Sequence, residues 1–163
     1  MKIGILTSSR ADFGIYIPLL KLLKEDSFFN LEIITFGTHL SEKHGKTITE
    51  IEQYKFHKIH KIEALPYSDS AQDISKSIGE TISKFSDFWA NNKYDLVICL
   101  GDRYEMFAAV SSAITFNLKF AHIHAGETTL GAIDNRYRHS ISLFSDLLFV
   151  STTLERADLF QIS

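Results

Sequence analysis

Cysteine, proline and long apolar runs are scarce in this sequence, and each scarcity excludes a class of protein. The single cysteine, Cys99, rules out an internal disulfide. With only two prolines, the chain has no Pro/Gly-rich linker that would mark a domain boundary. No run reaches the roughly 18 apolar residues of a membrane-spanning helix, and the first apolar run is too short for a signal peptide. We therefore predict one cytoplasmic domain over residues 1–163, with no membrane partner.

The charge balance argues against a nucleic-acid-binding protein. The chain carries 17 Lys and Arg against 20 Asp and Glu, which gives a net charge of -3. No Lys/Arg cluster stands among aromatic residues, so the basic field that nucleic acid requires is absent and we expect no such partner. With 45% hydrophobic and 23% charged residues, the composition is typical of a globular protein with one substantial core.

Short apolar runs alternate with helical patterns along the chain. Strands are predicted at residues 2–7, 31–36, 94–100, 119–124 and 146–150, with a less clear one at 59–65. Helices are predicted at residues 15–24, 41–54, 71–91, 104–116 and 133–144, and from about Thr153, and residues 8–14 are predicted to form a polar turn. Because the strands are apolar throughout and are separated by helices, we predict an α/β fold, a Rossmann-like parallel sheet with helices on both faces.

Polar residues are dense after three of the predicted strands. They are the segments Ser8 to Gly14, Gly101 to Arg103, and His122 to Asp134. Parallel sheets of this kind bind ligands at the carboxyl ends of their strands, where loops lead into helices. We therefore expect the three segments to converge on one edge and to form the functional site.

The Gly101-Asp102-Arg103 turn has two interpretations. Gly101 permits close approach of a ligand to the backbone, Asp102 offers a carboxylate, and Arg103 offers a planar set of donors for phosphate. In the alternative, Asp102 caps the following helix and Arg103 lies in solvent. The spacing alone leaves both open.

The segment after residue 121 holds the densest group of titratable residues. His122 and His124 stand two apart on a predicted strand, so both side chains should share one face, and three further titratable residues follow: Glu127, Asp134 and His139. An imidazole beside a carboxylate can move protons near neutral pH. Two alternatives stay open: His122 as a buried core histidine, and a divalent-metal site of a metal-dependent hydrolase built on His122 and His124.

The next helix carries two arginines near its start. Asp134 or Asn135 is predicted to cap this helix, and the free amides beyond the cap could receive an anion. Arg136 is expected on a solvated face. The apolar faces at residues 104–116 and 137–144 leave room for a subunit surface as well as a core.

Four segments in this order and spacing resemble a known family. The segments are Thr7 to Gly14, Gly101 to Met106, His122 to Glu127, and Gly131 to Ile141. They are similar to the hydrolysing UDP-sugar 2-epimerases of nonulosonic (legionaminic or sialic) acid synthesis. The resemblance implies two Rossmann-like domains, as in the GT-B glycosyltransferases, with the UDP sugar bound between them. This chain would be the amino-terminal half, inactive alone and part of a homo-oligomer, a dimer or tetramer, at full length.

The resemblance also implies a reaction and a set of residues. UDP is eliminated from a UDP-2-acetamido sugar to give a glycal, and water then adds to give the free 2-epimer, so no cofactor and no metal is needed. The catalytic residues implied are Asp102, His124, Glu127 and Asp134. The substrate-binding residues implied are Arg10, Arg103, Arg138 and His139.

One departure from the family pattern bears on the substrate. Members acting on UDP-N-acetylglucosamine are expected to have glutamate where this chain has His124, and a loop one residue shorter before Asp134. The form found here resembles the branch acting on UDP-N,N'-diacetylbacillosamine, and this is the substrate we predict. The alternatives are a UDP-N-acetylglucosamine 2-epimerase, hydrolysing or not, and a binding module without catalysis.

Overall fold

The computed structural model describes residues 1–64 and 68–151. Within these residues the strands are β1 (Lys2–Thr7), β2 (Asn30–Thr35), β3 (Lys58–Lys61), β4 (Leu96–Leu100), β5 (Phe120–Ile123) and β6 (Leu147–Phe149). The α-helices are α1 (Arg10–Glu25), α2 (Ile48–Glu52), α3 (Ala71–Asn91), α4 (Tyr104–Ala113) and α5 (Asp134–Leu143). None of the described helices is both long enough and apolar enough to cross a bilayer.

All six strands lie parallel in one sheet, in the order β3-β2-β1-β4-β5-β6. Ile5 in the middle of β1 pairs with Ile33 of β2 on one side and with Ile98 of β4 on the other. The chain moves outward from β1 to β3 and then returns to the centre to form β4, so the direction of winding reverses between β1 and β4. Such a reversal opens a crevice at the carboxyl ends of the strands. The predicted Rossmann-like α/β architecture is confirmed.

Side chains that alternate along the strands build a core on each face of the sheet. Ile3 and Ile5 pack beneath α1 and α2, whereas Leu6 packs on the opposite face beneath α3 and α4. On that opposite face, Phe85 and Trp89 stand one helical turn apart on α3 and are buried, and the Trp89 indole donates to the Ala109 carbonyl of α4 (3.2 Å). Each face of the sheet is therefore covered by helices, as the apolar strands require.

Most predicted elements are present within two residues of their expected ends, and the predicted helix 71–91 is found at Ala71–Asn91. Helix α1 begins earlier than predicted, at Arg10 rather than Ile15. The Ser9 hydroxyl accepts from the Asp12 amide while the Asp12 carboxylate accepts from the Ser9 amide, and this reciprocal capping starts the helix early. The predicted polar turn is thus mostly helix.

Two other segments differ from the prediction. The single helix predicted for residues 41–54 is broken by the left-handed residues Gly45 (φ 84°) and Lys46 (φ 44°), and only α2 remains α-helical. The strand predicted at 59–65 is the shorter β3. The helix predicted from about Thr153 lies outside the described residues.

Candidate functional site

The three polar segments that follow β1, β4 and β5 lie side by side, because these strands are neighbours in a parallel sheet. The segments are the β1-α1 turn, the β4-α4 turn and the loop between β5 and α5. Their convergence at one edge is therefore as predicted. This edge includes the crevice between β1 and β4, where an open α/β sheet binds its ligand.

The β1-α1 turn uses most of its polar groups to hold itself together. Asp12 is buried, and its Oδ2 accepts from the Ser8 amide (3.1 Å), the Ser8 hydroxyl (2.8 Å) and the Ser9 amide (3.1 Å). Arg10 by contrast points outward and donates from Nε to Glu50 of α2 (3.1 Å). The turn therefore offers a rigid helix start with one exposed guanidinium beside it.

The β4-α4 turn directs Asp102 away from the helix that it was proposed to cap. Gly101 has a φ of 80°, in the left-handed region, and the residue at the cap position of α4 is Arg103, which makes no side-chain cap hydrogen bond. The Asp102 carboxylate instead contacts the guanidinium of Arg138. The interpretation of Asp102 as a helix cap is wrong, because a tertiary ion pair replaces the local hydrogen bond.

Arg103 is paired with a carboxylate from its own helix. Its Nε and Nη2 donate to Glu105 at 3.3 and 2.9 Å, and the Glu105 side chain is buried beneath it. The Arg103 side chain remains 42% exposed. The guanidinium is therefore oriented by Glu105 at the crevice while part of it stays open to solvent.

His122 is a buried core histidine, one of the alternatives considered from the sequence. Its Nε2 donates to the Gly101 carbonyl (2.8 Å), and its Nδ1 accepts from the Ser142 hydroxyl of α5 (3.0 Å). Burial lowers the pKa of His122 to about 4, so the ring is neutral near neutral pH. Nε2 carries the proton and the lone pair on Nδ1 accepts from Ser142, so neither nitrogen is available to a metal ion.

The prediction that His122 and His124 share one strand face is wrong, because β5 ends at Ile123 and His124 lies beyond the strand. His124 has a φ of 61° and stands on the turn after the strand, where its Nδ1 contacts the Glu127 carboxylate. The Ser151 hydroxyl, which follows β6, also donates to Glu127. Among the described residues, the other ring nitrogen of His124, Nε2, has no hydrogen-bond partner.

Arg138 connects the β4-α4 turn to the loop after β5. Its Nη2 contacts Asp102, while its Nη1 donates to Glu127 (2.7 Å) and to the His124 carbonyl (3.1 Å). We refer to Asp102, His124, Glu127 and Arg138 as the Arg138 cluster. The structure thus brings together three of the four predicted catalytic residues and one predicted substrate ligand.

The charges in this cluster favour an ionised Glu127. Partial burial opposes its ionisation, but hydrogen bonds from Ser151, His124 and Arg138 outweigh that effect and lower the pKa of Glu127 below its usual value. At neutral pH the cluster therefore holds a carboxylate directly behind the His124 imidazole. Sequence reasoning missed Ser151, although its position after the last strand follows the same rule that identified the other loops.

The fourth predicted catalytic residue, Asp134, is exposed at the first position of α5. The cap position is occupied by Ile133 without a side-chain hydrogen bond, so the prediction that Asp134 or Asn135 caps the helix is wrong. Asn135 instead accepts from the Thr129 amide (2.9 Å) and donates to the Thr129 carbonyl (2.6 Å). Among the described residues, Asp134 makes no hydrogen bond to the Arg138 cluster.

The other residues of α5 divide between surface and interior. Arg136 is exposed, as predicted. His139 is half-buried, and its Nδ1 has no partner within the described residues. No group of three His, Cys, Asp or Glu among residues 1–64 and 68–151 is arranged to hold a metal ion.

The chain is similar to proteins of one known family. A family model described as UDP-N-acetylglucosamine 2-epimerase matches residues 21–163. The polysialic acid biosynthesis protein P7 of Escherichia coli is 39% identical over 93% of this chain, and the hydrolysing GDP/UDP-N,N'-diacetylbacillosamine 2-epimerase of Campylobacter jejuni is 38% identical over 99% of it. The chain spans 39% and 42% of the length of these two relatives.

The fold is also that of solved epimerases. The crystal structure of UDP-GlcNAc 2-epimerase from Neisseria meningitidis bound to UDP-GlcNAc superposes with a TM-score of 0.81 at 18% identity, covering 99% of this chain and 43% of that one. At 18% identity this similarity shows only that the fold is shared. The family match and the two relatives above show which family the chain belongs to. This chain belongs to the UDP-N-acetylglucosamine 2-epimerase family.

Proposed function

We propose that this chain is the amino-terminal domain of a hydrolysing UDP-sugar 2-epimerase, completed by a second domain that holds UDP. The observation that carries the proposal is the Arg138 cluster, which collects Asp102, His124 and Glu127 at the edge of the sheet where ligands bind. The relatives from Campylobacter jejuni and Legionella pneumophila, both named as hydrolysing 2-epimerases, support it.

The proposed reaction has two balanced steps. In the first, a base removes the proton from C2 of the sugar, the C2–H electron pair forms a C1–C2 double bond, and the C1–O bond breaks to release UDP. In the second, water adds its hydroxyl to C1 and a proton returns to C2 on the opposite face. The products are UDP and the free 2-epimer, and no redox cofactor takes part.

Inversion at C2 requires proton transfer on both faces of the sugar, and therefore more than one acid or base. His124 is suited to one transfer, because the contact of Nδ1 with Glu127 favours the tautomer whose lone pair lies on Nε2. Asp102 and the exposed Asp134 supply carboxylates for the other transfer and for the water. Glu127 takes part through its hold on His124.

The departing diphosphate needs positive charge, and the proposed ligands for it line the same edge. Arg10 and Arg103 have side chains that are 74% and 42% exposed, and each is oriented by a single glutamate. A planar guanidinium can then donate to phosphate oxygens as their charge develops. His139 on α5 is the third proposed ligand.

For the sugar we propose UDP-N,N'-diacetylbacillosamine. The support comes from His124, from the longer loop before Asp134, and from the relatives. The two relatives named for this substrate are 38% and 33% identical to this chain, against 28% for the UDP-N-acetylglucosamine 2-epimerase of Neisseria meningitidis.

The test is to incubate the complete enzyme with each of the two UDP sugars and to identify products by NMR. We expect UDP and a free 2-epimer, formed faster from the diacetamido substrate. Faster release of UDP from UDP-N-acetylglucosamine would refute the substrate, and a product that retains the nucleotide would refute hydrolysis. The 163-residue chain alone should fold and release little or no UDP.

A further inference from the structure

We infer that Arg138 is a positioning residue: it holds the carboxylates of Asp102 and Glu127, and through Glu127 the His124 imidazole, in one fixed arrangement rather than binding the UDP sugar. The inference rests on the proposed function of this site. It assigns to Arg138 a role that differs from the substrate ligand expected from the family resemblance.

The first support is that three of the five N–H groups of Arg138 are already used within the protein. Its side chain is only 8% exposed, and its two terminal nitrogens donate to three acceptors in two different loops. Two of its five N–H groups, one on Nη2 and the one on Nε, are left without an acceptor among the described residues, and Nε is buried. A guanidinium binds a diphosphate with two adjacent, accessible N–H groups, and Arg138 has no such pair because Nε is buried and both Nη1 hydrogens are used.

The second support is the way α5 is anchored. Ser142, one helical turn beyond Arg138, donates to the core residue His122, and Ile141 between them is fully buried. The face of α5 that carries Arg138 is therefore packed on the sheet, and the guanidinium reaches the site from a rigid element. A group placed in this way has little freedom to follow a moving substrate, but it can orient others.

The third support is the balance of charge. Arg138 is the one described cation in contact with two carboxylates, while the other groups facing them are the neutral His122, the His124 ring and the Ser151 hydroxyl. Without Arg138, two like charges would share this site, and one carboxylate would tend to take up a proton. An ionised Glu127 can only accept, so it fixes which nitrogen of His124 carries the proton. A protonated Glu127 can also donate and would no longer fix this orientation.

The experiment compares Arg138→Met and Arg138→Lys in the complete enzyme, with Arg136→Met as the matched control on the exposed side of the same helix. Arg138→Met should lower kcat about 100-fold, as expected when catalytic groups lose their orientation. KM for the UDP sugar should change less than about threefold. The acid limb of the kcat profile should move to higher pH, because loss of the cation raises the pKa of Glu127.

The remaining outcomes separate the alternatives. Arg138→Lys keeps the charge but loses the planar guanidinium. Its pH profile should therefore be close to that of the wild type, while its kcat should remain below the wild-type value. Arg136→Met should match the wild type. A raised KM with unchanged kcat and pH profile would show that Arg138 is a substrate ligand. Activity lost only in proportion to the unfolded fraction, with an unchanged pH profile, would show a merely structural role.

A readout that does not depend on turnover tests the inference by itself. Nitrogen-15 NMR of the histidine side chains reports which ring nitrogen carries the proton, and His124→Asn identifies the His124 signals. We expect the Nδ1–H tautomer in the wild type and its loss in Arg138→Met. Identical His124 signals in both would overturn the inference. Failure of the enzyme to act on any UDP sugar would instead overturn the proposed function, whatever this spectrum shows.

Discussion

Two buried histidines should make the stability of this chain depend on pH between 7 and 5. His122 lies in the core between β5 and α5, and His39 is held by the hydroxyls of Thr7 and Thr47, each at 2.8 Å from a ring nitrogen. Burial lowers the pKa of both histidines to about 4. In the unfolded chain the ordinary value is about 6.5.

The sign follows from proton uptake. Between pH 6.5 and 4 the unfolded chain binds a proton at each histidine and the native chain does not, so acidification favours unfolding. For each histidine, a fall from pH 7 to pH 5 should cost about 2 kcal/mol of unfolding free energy, and about 4 kcal/mol together. Glu32 titrates at lower pH, since the pKa of its carboxyl is lowered to about 2, and therefore contributes little in this range.

The assay is urea denaturation at pH 7 and pH 5, followed by the fluorescence of Trp89, the single tryptophan. Each single variant, His39→Gln and His122→Gln, should lose about half of the pH dependence, and the double variant should lose nearly all of it. The single variants thus control for each other. A wild-type free energy that is equal at the two pH values, or a double variant that keeps the full dependence, would refute the assignment of these rings as buried and neutral.

Two further predictions concern stability. Asp12→Ala should lower the free energy of unfolding by about 2 kcal/mol in urea denaturation, because three donors in the β1-α1 turn lose their acceptor. The control is Asp87→Ala at an exposed position of α3, which should have almost no effect. Equal losses in the two variants would contradict the role of Asp12 as a buried cap. Glu32→Ala should cost about 3 kcal/mol, because His60, Tyr94 and Lys2 all donate to this buried carboxylate. Glu52→Ala, at a half-exposed ion pair with Lys61, is its control, and a similar cost there would contradict the prediction.

The sequence allowed the sheet and the place of the site to be predicted, because these depend on local patterns. The apolar residues of α3 recur at helical spacing through Phe85 and Trp89, and the predicted ends of this helix match the observed ends. The rule that parallel sheets bind ligands at strand ends selected the loops that hold Asp102 and His124. Both inferences use periodicity and topology, which a single sequence carries.

The pairing within the site could not be predicted. Asp102 and Arg138 are 36 positions apart, and their contact depends on α5 packing beside α4. The spacing allowed Asp102 to be either a helix cap or a site carboxylate, and the cap was not formed because a guanidinium in contact is a stronger partner than a backbone amide. Likewise, His122 and His124 look equivalent in sequence, and they differ because the strand ends at Ile123.

We propose that the Arg138 cluster transfers protons at C2 while UDP leaves. The most direct test is to run the complete enzyme on UDP-N,N'-diacetylbacillosamine in D2O and to observe C2 of the product by proton NMR, with His124→Ala alongside. We predict equimolar UDP and free sugar with inverted C2 carrying deuterium, and loss of this exchange in His124→Ala. A product that keeps its original hydrogen at C2, or full exchange without His124, would contradict the account.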